Sequence, residues 1–237
     1  MPTALDHLLA VVLAVLFPIR ASTFGYRRLA QASESEVPAV RRSLYRQALW
    51  IQWGLVAALG AWWIARARAW ASLGLTIPAT PTFLGITAAA LVGATLLLLQ
   101  SRRGARDPQV LELVMKRLHN VERMLPHDLG ELRVFRALAV TAGVCEEVLY
   151  RGFLLWYLGH WMGPVPGLAV AAAVFGVGHS YQGPRGIAVT ALVGMVLGLV
   201  YLASGSLLPA MLLHAAGDLH SGTLAHAALS RRAAQAA

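Results

Sequence analysis

The sequence predicts an all-α fold, a polytopic transmembrane helix bundle, and three observations carry that prediction. Of 237 residues, 57% are hydrophobic and only 13% are charged, against about 25% charged in ordinary soluble domains. The mean hydropathy is +0.60. Seven stretches approach or exceed the roughly 17 to 25 apolar residues that cross a bilayer. They run over Leu5 to Phe24, Leu44 to Ala65, Thr82 to Gln100, Val134 to Leu158, Val165 to His179, Gly186 to Ala203 and Leu207 to Ala228. About seven membrane helices are therefore expected.

The first stretch carries Asp6 and His7 at its front and Pro18 and Arg20 behind. It lacks the basic start and small-residue cleavage site of a secretory signal, so it is expected to persist as the first helix. Three spans then account for residues 1–100. The segment 101–133 is the one long polar stretch, and "PQVLELVMKRLHNVERML" places Leu111, Val114, Met115, Leu118 and Val121 at helical spacing opposite a charged face. It predicts an amphipathic helix lying on the cytoplasmic membrane surface, ended by Pro126, Asp128 and Gly130. Residues 134–237 hold the last four spans, and the Ala-rich tail beyond them is expected to fray.

Basic residues set the orientation. Arg27, Arg28, Arg41, Arg42 and Arg46 follow span one, and Arg102, Arg103, Arg106, Lys116, Arg117 and Arg123 follow span three. Arg185 follows span five, and Arg231 and Arg232 follow span seven. All then fall on the cytoplasmic side, with the N-terminus outside and the C-terminus inside. Arg66 and Arg68 after span two run against this pattern. The same clustering between apolar runs explains the net charge of +9 without a nucleic-acid partner. Cys145 is the single cysteine, which excludes an intramolecular disulfide.

After Arg136 the chain has three acidic residues, Glu146, Glu147 and Asp218, and all lie inside expected spans. A charge at a bilayer centre costs roughly 2.5 to 3.5 kcal/mol even on lenient insertion scales, so such residues face a bundle interior or cavity and mark function. Glu147 and Arg151 stand at the acid-before-base spacing that favours an ion pair. Glu146 lies five before Arg151, some 140° away on an α-helix, without a partner on its own helix. That makes it the candidate general base. His179 follows Phe175 by one turn in "VFGVGHS", and "HAAGD" sets His214 and Asp218 on one face with small residues between them.

These groups suit peptide hydrolysis by activated water. A serine mechanism is disfavoured because Ser204 and Ser206 lack a Gly-x-Ser-x-Gly turn, and an aspartyl mechanism because Asp218 is the only aspartate after Asp128. No His-Glu-x-x-His helix occurs. A scattered zinc site of Glu146, His179, His214 and Asp218 stays open as the alternative. So do a proton relay in a transporter and a non-catalytic immunity or binding protein.

"EEVLYRGF" with Glu146, Glu147 and Arg151, then "FGVGH" from Phe175 to His179, then "HAAGD" from His214 to Asp218 resemble the three ordered motifs of the CPBP family. That family comprises type II CAAX prenyl protease relatives, bacteriocin-processing and immunity proteins, and bacterial protein-sorting proteases. The likeness covers about Leu125 to Leu219 and implies a glutamic intramembrane endopeptidase that needs no cofactor. It implies Glu146 as base, His179 as its helper, and His214 with Asp218 at the oxyanion, supported by Glu147, Arg151 and Phe175. Residues 134–237 would then be the catalytic core and residues 1–100 a variable membrane region. Eukaryotic prenyl proteases have asparagine where this chain has Asp218, whereas bacterial relatives admit aspartate. An ionised aspartate would repel an oxyanion, so Asp218 must be protonated or act by orienting His214. Nineteen arginines against one lysine suggest a GC-rich bacterium and its cytoplasmic membrane. The expected partners are the lipid bilayer and a membrane-anchored polypeptide, such as a C-terminal sorting signal, a bacteriocin-like peptide or an anti-sigma factor.

Overall fold

The computed structural model describes residues 1–20, 25–118 and 121–236, and every regular element among them is helical. Helix α1 (Ala4–Val11) passes through a π-helical turn (Val12–Leu16) into α2 (Phe17–Ile19). The end of the expected first span, residues 21–24, lies outside the described residues. A short α3 (Tyr26–Gln31) precedes α4 (Val37–Ala65), which carries Pro38 in its first turn and starts well ahead of the expected Leu44. Thr80 caps α5 (Pro81–Gly104), its hydroxyl accepting from Phe83 N at 3.2 Å. Asp107 caps α6 (Pro108–Arg117) and Asp128 caps α7 (Leu129–Glu146).

The chain then turns π-helical over Glu147–Leu154 and continues as α8 (Leu155–Met162). Gly163, at φ 81°, ends that run. Two apolar helices follow, α9 (Pro164–Gly178) and α10 (Gly183–Ser204), and α11 (Leu208–Ala236) closes the bundle. Helix α11 packs along α5 and α7, α10 lies on α9, and α4 lies on α7. Trp63, Phe153, Leu13, Leu59 and Leu207 form the centre of the apolar core. Three described helical stretches are long and apolar enough to cross a membrane, Val37–Ala65, Pro81–Gly104 and Ser180–Ser204, while Ala4–Ile19 and Pro164–Gly178 are apolar but shorter.

Two expectations are corrected. The amphipathic helix ends at Arg117 rather than running through Leu125, and residues 119–120 lie outside the described residues. Beyond them stands only a 3-10 turn (Glu122–Met124). The chain beyond that end is held by α4 instead. Arg41 Nη1 of α4 takes Arg123 O at 3.0 Å and Leu125 O at 2.9 Å, and the Tyr45 hydroxyl takes Met124 O. Helix α6 buries Leu111 and packs on α11. The Ala-rich tail, expected to fray, is helical to Ala236. Ala228 and Leu229 are buried there, and Arg232 bonds Glu122 at 2.9 Å.

Arg68, which ran against the charge pattern, is occupied inside the protein. It makes two 2.7 Å bonds to the fully buried Asp6, and its guanidinium stacks 4.7 Å from the rings of both Trp63 and Trp156. Asp6 also accepts from Trp62 Nε1 at 3.1 Å. Removing one partner of a buried pair strands the other charge. Arg68→Ala is expected to destabilise the protein by about 3 kcal/mol, read as a lowered thermal midpoint in detergent, with Arg68→Lys recovering only part of the loss.

Candidate active site

The polar cluster forms where α7 becomes π-helical. Residues five apart stack in a π turn, whereas three or four apart stack in an α-helix. Glu146 is the last residue of α7 before that π segment, and among the described residues no hydrogen bond or ion pair joins it to Arg151. Glu146 and Glu147 both reach His214 on α11: Glu147 Oε1 lies 2.6 Å from His214 Nδ1, and Glu146 Oε2 lies 3.9 Å from His214 Nε2. Asp218 Oδ2 sits 3.7 Å from the same Nε2, one turn along α11.

Glu147 is buried and shared. Its Oε1 accepts from Arg151 Nη1 at 2.8 Å as well as from His214. A carboxylate only accepts, so the Nδ1–H tautomer of His214 satisfies this contact and turns Nε2 toward Glu146 and Asp218. Arg151 in turn lies over Phe175, 4.2 Å from the ring centroid. Gly194 of α10 makes room for it, since a Cβ there would stand 3.0 Å from Arg151 Nη2.

His179 sits at the C-terminal end of α9. Its Nδ1 bonds Phe175 O at 2.9 Å and its ring lies tilted at 57° against Phe175 with centroids 4.8 Å apart. Among the described residues no ion pair or hydrogen bond joins His179 to Glu146. The two instead line one cavity of about 1400 Å³ with Tyr150, Phe175, His214 and Asp218. The structure thus groups Glu146, Glu147, Arg151, His214 and Asp218 by direct contact and sets His179 and Phe175 on the same wall. Ser204 and Ser206 stand outside this group: Ser204 Oγ donates to Ser206 O at 2.9 Å and Ser206 Oγ to Thr76 O at 2.7 Å. Among the described residues no three His, Cys, Asp or Glu side chains are grouped to hold a metal ion.

One neighbour of Glu146 escaped sequence reading. Gln52 of α4, itself buried, donates from Nε2 to Glu146 Oε1 at 3.1 Å. Its signal was present, because Gln52 is the only amide in the apolar stretch from Trp50 to Ala65. The cluster therefore draws a side chain from outside the last four expected spans.

Close approach of α7 and α11 is what lets Glu147 meet His214. A Cβ on Gly143 would stand 2.7 Å from the backbone nitrogen of Ala215, next to His214. Gly143→Ala must push these helices apart, and misplacement on the order of 1 Å can cost about a hundredfold in rate. That loss is expected in a turnover assay. Gly85→Ala, where a Cβ meets nothing within 4 Å, serves as the silent control.

Comparison with known proteins gives one match. The model of the family described as Type II CAAX prenyl endopeptidase Rce1-like matches residues 129–220, from the start of α7 to two residues past Asp218. No curated protein and no solved structure matches the chain.

Proposed function

We propose, from the match of residues 129–220 to the model of the Rce1-like family of type II CAAX prenyl endopeptidases, that this membrane protein is an intramembrane endopeptidase of glutamic type. Glu146 takes a proton from water, and the hydroxide adds to the carbonyl of a scissile peptide bond. The developing oxyanion is met by a proton on His214 Nε2, and the adjacent Glu147 carboxylate compensates the imidazolium charge. Glu146 then returns its proton to the amine as the C–N bond breaks. His179, with Nδ1 fixed on Phe175 O, holds the water with its other ring nitrogen. Asp218, one turn beyond His214, orients that imidazole.

The observation that carries this reading is the convergence of two carboxylates on one imidazole at a cavity wall, at 2.6 Å and 3.9 Å. One carboxylate is committed to structure and the other faces the cavity. The substrate is a membrane-associated polypeptide with a C-terminal sorting or processing segment. The protein crosses a bacterial cytoplasmic membrane about seven times, with its N-terminus outside and its C-terminus in the cytoplasm. The charge pattern supports that orientation better once Arg68 is assigned to Asp6.

The test is reconstitution in liposomes with a solubilised membrane proteome, new peptide termini being read by mass spectrometry. Wild-type protein is expected to generate termini that Glu146→Gln and His179→Ala do not. Equal cleavage by all three would sink the assignment. A chelator arm tests the metal alternative: activity lost on chelation and restored by zinc would overturn the metal-free chemistry.

A further inference from the structure

We propose that Gln52 of α4 is a positioning residue that holds the Glu146 carboxylate in its working orientation, so that the site is incomplete without a helix outside the family-matched residues. The inference rests on the reading of Glu146 as general base. Three observations support it.

Gln52 is 4% exposed, lines the same cavity as Glu146, and aims its Nε2–H at Glu146 Oε1 from 3.1 Å. Of the contacts that Glu146 makes, this is the only hydrogen bond of ordinary length among the described residues, since His214 Nε2 stands at 3.9 Å. Hydrogen bonds to an ionised acceptor are stronger and more directional than neutral ones. A carboxylate facing an open cavity has rotamers to choose from, and this donor selects one of them.

The amide's other end is unsatisfied. Gln52 Oε1 is buried without a partner, which opposes folding, because a buried acceptor loses its water bond and gains nothing in exchange. An apolar side chain of the same length would serve packing better. What distinguishes glutamine here is the donor on Glu146.

Nor is Gln52 needed to attach α4 to α7. Arg41 already pairs with Glu131 at 3.1 Å, Trp53 Nε1 donates to Thr141 Oγ1 at 3.2 Å, and Tyr45 packs edge-on against Phe135 at 5.6 Å. These contacts flank Gln52 along α4 and hold the helix pair without it. A substitution at Gln52 can therefore be read as an effect on Glu146 rather than on assembly.

The test compares Gln52→Met, nearly isosteric but without a donor, with Gln52→His, which restores an N–H. Both are made in the full chain in liposomes. With the peptide that wild-type protein cleaves, Gln52→Met is expected to lower kcat by roughly tenfold to a hundredfold, with KM within about twofold of wild type and the thermal midpoint unchanged. Gln52→His recovers most of kcat. The second readout does not depend on turnover. An infrared carboxyl band assigned to Glu146, by its absence in Glu146→Gln, is expected to move in Gln52→Met and to return toward its wild-type position in Gln52→His. An unmoved band, or kcat unchanged in Gln52→Met, overturns the proposal. Undiminished cleavage by Glu146→Gln would instead overturn the role of Glu146 as base, while the band still reports whether Gln52 holds that carboxylate.

Discussion

Glu146→Gln is expected to lower kcat by about a thousandfold, within the range a positioned general base contributes, while leaving the thermal midpoint close to that of wild type. The substitution is nearly isosteric, and the new amide can still accept from Gln52 Nε2 through its oxygen. What disappears is the ability to take a proton from water. KM should change little, because Glu146 acts on the water and not on the peptide. Turnover and a melting curve on the same preparation check both halves.

Glu147→Gln is expected to damage stability and rate together. The Glu147 carboxylate answers two cationic or donor groups at once, Arg151 Nη1 at 2.8 Å and His214 Nδ1 at 2.6 Å. Neutralising it leaves Arg151, 2% exposed, without its counter-ion, a loss of about 3 to 5 kcal/mol. An amide carries no charge to compensate the imidazolium, and if it turns its NH₂ to His214 Nδ1 that nitrogen must accept and the doubly protonated ring is lost. A rate loss of about a hundredfold in the fraction that stays folded is expected on that ground. Adjacent carboxylates thus give different signatures: rate alone at Glu146, and rate with a depressed melting point at Glu147. A Glu147→Gln protein that melts like wild type would remove Glu147 from its bridging position.

The helical stretches of the chain were legible because their signals are local. Apolar runs place the spans, and Pro126, Asp128 and Gly130 mark the break before α7, whereas α4 and α7 start at Val37 and Leu129, ahead of the expected Leu44 and Val134. The Glu147–Arg151 and His214–Asp218 neighbours were legible for the same reason, being one turn apart on one helix. Contacts across the bundle were not. Gln52 with Glu146, Asp6 with Arg68 and Arg41 with Glu131 join residues 94, 62 and 90 apart, and nothing in periodicity pairs them. The π-helical segment Glu147–Leu154 was also hidden, because no residue type announces it. Length and hydropathy mark α4, α5 and the stretch Ser180–Ser204 as able to cross a membrane, whereas the expected span from Val134 to Leu158 is divided between α7, the π-helical segment and α8.

The most direct measurement is a single-turnover cleavage in H₂¹⁸O with enzyme in excess over the identified peptide. Activation of water by Glu146 predicts one ¹⁸O atom in the new C-terminal carboxylate from the first turnover, and formation of that product about a thousandfold slower with Glu146→Gln. A first-turnover product without ¹⁸O would show that a protein oxygen attacked the carbonyl, and would contradict Glu146 as a general base.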